Sequence, residues 1–224
     1  MNRLIGQRVL ITGASSGIGE ACARRFAEQG AHVLLAARRS ERVEALAKEL
    51  RDEHGVEAHA HGLDVTDRVA VFRYVEMLAN ERLLPDILVN NAGKARGLDK
   101  LHEGDIDHWE DMIDTNLKGV LYMSRAIIPH MVARDSGHVI QIGSIAGRWA
   151  YPKGAVYNAT KFGLRGLTEG MNMDLLETRT AVSSSVARAF HPPPPISRSG
   201  RRDSARMAAK FSMSASDGAG LITR

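Results

Sequence analysis

The chain has 224 residues, 44% of them hydrophobic and 25% charged, with a formal net charge of +4, the balance of an ordinary soluble globular protein. A single cysteine, Cys22, excludes an internal disulfide and fits a reducing compartment. No stretch reaches the apolar length that crosses a bilayer, and the opening residues lack a secretory pattern, so the sequence predicts a soluble, cytoplasmic protein.

"RVLIT" (8–12) is short, apolar and β-branched, the signature of a buried strand. "TGASSGIGE" follows it and opens a helical pattern over about 17–29. Gly13, Gly17 and Gly19 let the backbone turn tightly and approach a pyrophosphate, and the helix N-terminus adds N–H groups and positive potential. Thr12, Ser15, Ser16 and Ile18 complete this candidate phosphate-binding turn. The spacing is G-x-x-x-G-x-G; the bland reading is a glycine-rich turn that merely starts a helix.

A second strand, "HVLLAA" (32–37), runs into Arg38 and Arg39 and then a helix over 40–53. An acidic residue at the strand end would bind ribose hydroxyls and repel a 2′-phosphate. Ala37 stands there instead, and two guanidinium groups pair well with phosphate, so NADP(H) is expected over NAD(H); the bland reading of the arginines is a solvated charge run that opens a helix. A third strand, "VEAHAHGLDV" (56–65), ends at Asp64 and Val65, expected to flank an adenine, with helix capping as the alternative for the aspartate. His59 and His61 share one strand face but have no acidic or cysteine partner nearby. They are read as surface histidines, and no metal site is expected.

A helix over 67–80 leads to "DILVNNAG" (86–93), where Asn90, Ala92 and Gly93 either meet the cofactor ribose or serve as turn chemistry. The helical stretch 107–134 carries Asn116. "HVIQIGS" (138–144) ends at Ser144, and the helix over 155–177 carries Tyr157 and Lys161. Four residues are about one helical turn, so phenol and ammonium share a face. Tyrosine has an ordinary pKa near 10, so the pair is either a base with the cation that tunes it or two surface residues that share a helix face. Arg148 and Trp149 lie between Ser144 and Tyr157. An arginine there pairs either with a substrate carboxylate or with a loop acid.

Strands alternating with helices predict βαβ crossovers and an α/β fold: a Rossmann-like doubly wound parallel sheet in a single domain over 1–185. From about residue 178 the pattern dissolves into serines and four consecutive prolines, a composition that buries too little to order itself. Residues 186–224 are therefore expected to be an irregular, disordered tail, with the C-terminal elements of the fold missing. The basic excess sits there: residues 1–177 hold 22 Lys and Arg against 24 Asp and Glu. The tail charges are scattered without aromatic interleaving, which argues against a nucleic-acid partner.

In order along the chain, Thr12 with its glycine loop, Asp64-Val65, "NNAG" at 90–93, Asn116 in "MIDTN", Ser144 in "IGSIAG", Tyr157 and Lys161 resemble the short-chain dehydrogenase/reductase family over about residues 4–185. The stretches around Asn116 and Ser144–Lys161 are most similar to its NADP-dependent 3-hydroxy acid dehydrogenases, which act on serine, allo-threonine and related short hydroxy acids. The resemblance implies a small-molecule substrate and hydride transfer to or from NADP(H). Tyr157 would be the acid/base, Lys161 its tuning cation and ribose ligand, Ser144 the partner of the substrate oxygen, and Asn116 the anchor of a water chain to Lys161, while "NNAG" would steady the central sheet. It also implies a homodimer or homotetramer formed through the helices at about 107–134 and 155–177. The family's sixth strand ends in a Pro-Gly turn; Ala187-Arg188 stands there in this chain. That departure keeps a second class open: an impaired, truncated relative that binds NADP(H) without efficient turnover.

Overall fold

Alternate side chains of β1 (Arg8–Thr12) face opposite layers. Val9 and Ile11 pack with one set of buried residues and Leu10 with another, as a strand buried on both faces requires. The computed structural model describes residues 4–187. Within them β1 is followed by α1 (Gly17–Glu28), β2 (His32–Ala37), α2 (Ser40–His54), β3 (Ala58–Gly62), α3 (Arg68–Asn80) and β4 (Ile87–Asn90). The second half comprises α4 (Ile106–Ile113), a π-helical turn (Asp114–Lys118), α5 (Gly119–Ala133), β5 (Gly137–Ser144), a 3₁₀ turn (Ile145–Gly147), α6 (Ala155–Asp174) and β6 (Thr180–Ala187).

All six strands are parallel, in the order β3-β2-β1-β4-β5-β6. This is the Rossmann-like sheet expected from the alternation. One core layer sets Val9, Ile11, Val33 and Leu35 against Ala23 and Ala27 of α1 and Val43, Leu46 and Leu50 of α2. The opposite layer sets Leu10, Leu34, Leu88 and Val139 against Val71 and Leu78 of α3 and Met123, Ile127 and Met131 of α5. The chain reverses direction of winding between β1 and β4, and a crevice opens beyond their C-terminal ends, where such sheets take ligands.

Three expectations change. The helical stretch 107–134 is interrupted by the π turn at Asp114–Lys118. The third strand is shorter than 56–65, because Asp64 leaves it to accept from the backbone N–H and the hydroxyl of Thr66 (3.0 and 2.8 Å). The ordered body also outlasts the apparent loss of pattern at 178. β6 pairs with β5 from Gly137↔Thr180 to Ser144↔Ala187, two residues past the expected boundary at 185. Its serines give it little strand propensity of its own. Pairing along a buried neighbour supplies the order instead, with Val182 buried in the core and a 2.8 Å contact between the His138 ring and the Ser183 hydroxyl. The expected disordered tail, from Arg188 onward, lies outside the described residues.

The histidine reading is corrected in part. His59 is exposed, but His61 is half-buried and stacked on Tyr74 of α3, with ring centroids 4.2 Å apart. Burial pushes its imidazole below the usual histidine pKa, as an apolar ring environment does.

Candidate active site

β1 ends in the glycine loop, and a side chain from β4's end locks it. The Asn91 amide donates to the carbonyls of Thr12 (2.8 Å) and Gly13 (3.2 Å), while the Thr12 hydroxyl accepts from the N–H groups of Asn91 and Ala92 (both 3.1 Å). Gly19 passes so close beneath this lock that a Cβ there would lie 2.4 Å from both Asn91 Nδ2 and the Gly13 carbonyl oxygen. One of the two is backbone and cannot yield cheaply. Gly19→Ala is therefore expected to destabilise the protein by about 2–4 kcal/mol and to weaken dinucleotide binding, both readable by thermal unfolding with and without NADPH. An unchanged midpoint would mean that the loop is looser than its geometry.

The loop forms one wall of a cleft of about 510 Å³, which Gly13, Ser15, Ser16, Ala37, Arg38, Arg39, Asp64, Val65, Ala92 and Gly93 all line. Arg39 spans its mouth, donating to the hydroxyls of Ser15 (2.9 Å) and Ser16 (2.7 Å), and Arg38 faces the Asp64 carboxylate at 3.8 Å. Two guanidinium groups, Lys94 and three hydroxyls (Ser15, Ser16, Thr115) surround one carboxylate. This donor-rich set suits a polyphosphate, and the buried Ala37 offers no acid to the second strand's end. A nicotinamide dinucleotide phosphate fits the residues present.

Three expected contacts stand elsewhere. Thr12 is buried behind the loop, where it joins β1 to β4. Asn90 is also buried and donates to the Ser124 hydroxyl at 3.1 Å, tying β4 to α5. Ile18 projects outward, about half exposed. Asn91, which locks the loop, and Lys94 and Thr115, which line the cleft, join the site unannounced. Only Asn91 left a signal, as the second asparagine of "NNAG".

The widened π turn carries Asn116 inward, a role such turns often have at functional sites. Its side chain accepts from the Lys94 N–H (2.8 Å) and donates to the Lys94 carbonyl (2.9 Å) and the Thr160 hydroxyl (3.1 Å). The loop after β4 is thereby clipped to α6. One residue on from Thr160, Lys161 is 9% exposed and its ammonium donates to the Ile142 carbonyl at 3.0 Å. Burial pushes its pKa down to about 8. A Cβ placed on Gly93 would lie 3.2 Å from Asn116 Oδ1 and 3.7 Å from Lys161 Nζ, so these two groups flank the same backbone.

Lys161 Nζ sits 5.9 Å from the centre of the Tyr157 ring, as the four-residue spacing anticipates. Ser144 closes β5, and its hydroxyl accepts from the Ala146 N–H at 3.1 Å, leaving its own proton free to donate. The 3₁₀ turn it caps rides tightly on α6: a Cβ on Gly147 would fall 2.6 Å from the Lys161 carbonyl oxygen. Ser144 and Lys161 line a second cleft of about 610 Å³ together with Arg148 and Trp149. Tyr157 lines a narrow gap of about 20 Å³ with Trp109 and Lys153. Among the described residues no helix is long and apolar enough to cross a membrane.

Comparison with known proteins agrees with this geometry. Residues 7–190 match the family model for short chain dehydrogenases. An NADP-dependent 3-hydroxy acid dehydrogenase of Escherichia coli O157:H7 is 46% identical over 175 residues, covering 78% of this chain and 69% of the relative. Sulfoacetaldehyde reductase 2 of Chromohalobacter salexigens is 39% identical over 176 residues, again 78% of this chain and 69% of the relative. The closed form of a serine dehydrogenase complexed with NADP+ superposes with a TM-score of 0.74 at 44% identity, covering 80% of this chain and 71% of that one. Glycine loop, buried lysine and matched length together make this chain a member of the short-chain dehydrogenase family.

Proposed function

We propose that the protein is an NADP(H)-dependent oxidoreductase that interconverts a short 3-hydroxy acid, or a related anionic alcohol, with its carbonyl form. The observation that carries this reading is Lys161: an ammonium nine-tenths buried, 5.9 Å from the Tyr157 ring centre and lining one cleft with Ser144. A lysine buried without an acid partner is costly, and such perturbed groups cluster at functional sites. Names of the relatives point to the substrate class. A 3-hydroxy acid and sulfoacetaldehyde both place one carbon between the reacting carbon and an anionic group.

In this reading Ser15, Ser16, Arg38 and Arg39 hold the phosphates, Asp64 and Val65 flank the adenine, and Lys161 holds the nicotinamide ribose. NADP(H) supplies the hydride acceptor or donor. Ser144 donates to the substrate oxygen. Tyr157 removes the alcohol proton in oxidation and returns one in reduction, while the Lys161 ammonium stabilises negative charge on its oxygen. Asn116 fixes the loop beside Lys161 and anchors the water chain that resupplies its proton. The catalytic domain comprises residues 1–185 with the last two residues of β6, its single cysteine suits a reducing cytoplasm, and exposed Leu121 on α5 and Phe162 on α6 support self-association through these helices.

The deciding assay is NADPH formation by the purified chain on L-serine and 3-hydroxyisobutyrate, beside an NADPH fluorescence titration. Absence of NADPH binding would sink the reading. Ala187, where a Pro-Gly turn is expected, favours a second outcome: binding with turnover about 10²-fold or more below that of a complete relative, because loosened positioning costs rate steeply. Cofactor choice gives a sharper test. NADPH is expected to bind about 10–100-fold more tightly than NADH, the worth of charge-assisted bonds to one phosphate. Ala37→Asp combined with Arg38→Leu should reverse the order. Equal affinities in the unaltered protein would refute the assignment of the arginines.

A further inference from the structure

We propose that Arg148 is the residue that recognises the anionic end of the substrate, an inference that rests on the oxidoreductase reading and names its specificity determinant. The cleft shared by Ser144 and Lys161 has room for a small organic acid, about 610 Å³, and two arginines line it. Arg165 is held by Glu169 at 2.9 Å, one turn along α6, so its charge and that of the glutamate are already matched. Arg148 follows the 3₁₀ turn that Ser144 caps. Its guanidinium has no acid and no other hydrogen-bond partner among the described residues.

The other cations near Tyr157 serve less well. Lys94 and Arg96 both bind the Asp111 carboxylate, at 2.6 and 3.0 Å, which holds that acid well below the usual carboxylate pKa. Lys153 lines only the gap of about 20 Å³ beside Tyr157, space for roughly one water. Lys161 itself is committed to the Ile142 carbonyl and the tyrosine face. Among the described residues, Arg148 is thus the unpaired cation on the cleft that also holds the Ser144 hydroxyl. A planar guanidinium takes a carboxylate or a sulfonate in a two-pronged bond. The substrate needs both partners close together, since a single carbon separates its reacting centre from its anion.

The test pairs a charged substrate with its neutral counterpart. kcat and KM are measured for 3-hydroxypropionate and for its methyl ester, and malonate, which cannot be oxidised, is titrated calorimetrically with and without saturating NADP+. Arg148→Met is expected to weaken malonate binding and raise KM for the acid by about 10–100-fold, while KM for the ester stays within about twofold. Arg148→Lys should recover part of the loss, as a point charge without the fork. Equal malonate affinity in the unaltered protein and Arg148→Met would overturn the assignment. So would an ester KM that rises in step with that of the acid, or an unaltered protein that binds no malonate. Failure to bind NADP+ would refute the oxidoreductase reading separately, and the malonate titration would still decide Arg148.

Discussion

Tyr157→Phe is expected to lower turnover by about 10²–10⁴-fold, the usual worth of a positioned general acid or base, while NADPH affinity stays within about twofold. The substitution removes one oxygen and keeps the ring. The ring's contact with Lys161, 5.9 Å from Nζ to its centre, survives, as does the backbone carbonyl that accepts from the Thr160 hydroxyl at 2.8 Å. Thr160 also receives the Asn116 amide, so the clip between α6 and the π turn is untouched. Folding should be unaffected, which a thermal melt verifies. A loss in kcat with unchanged cofactor binding isolates an interaction made in the transition state. Retention of more than about a tenth of the parent's turnover would mean that another group moves the proton.

Lys161→Met should act in two opposite directions. Function is expected to suffer: the ammonium proposed to steady the tyrosine oxygen and the ribose is gone, so turnover should fall and NADPH should bind about tenfold or more weakly, as loss of a charged hydrogen bond implies. Stability of the cofactor-free protein should rise. Burial holds the Lys161 pKa at about 8, against about 10.4 in an unfolded chain. Below about pH 8 both states carry the proton and the whole penalty is present, about 3 kcal/mol. Between about pH 8 and 10.4 the unfolded chain binds more protons than the native one, so stability climbs with pH across that window. The lysine keeps a bond to the Ile142 carbonyl that methionine loses, and the net gain is expected to be about 1–2 kcal/mol, a few degrees in Tm for a domain of this size. The variant should also lose the pH-dependent rise. A variant less stable than its parent at pH 7 would show that the ammonium is better solvated than its burial indicates.

Tyr157 and Lys161 are legible from the sequence alone. Their spacing is a property of one helix, and the helix was plain from its own residues. The same holds for the turn at Gly13–Gly19 and for the strands rich in Val, Ile and Leu, whose signals lie within five to ten residues of each other. Asn116 was legible only through its place in a motif. Nothing in "MIDTN" announces a π turn, because that widening is settled by what the asparagine bonds to across the loop and α6.

Local chemistry alone, then, determined the doubly wound class, the glycine-rich turn, the two arginines after β2 and the helix that bears Tyr157 and Lys161. The tertiary structure decided whatever depends on partners far apart in the chain. Asn91 locks Thr12 and Gly13 across 79 and 78 residues, Asn90 turns away from the cleft to Ser124, and His61 finds Tyr74. β6, serine-rich and without a period, acquires its order from β5, some 43 residues away. Lys161 owes its lowered pKa to desolvation by the elements packed around it. A residue's type and its neighbours prescribe backbone geometry, but burial and long-range pairing exist only once the sheet has assembled. At those positions composition is silent or misleading: serines that break the strand pattern pair into the sheet, and a histidine expected at the surface is half-buried.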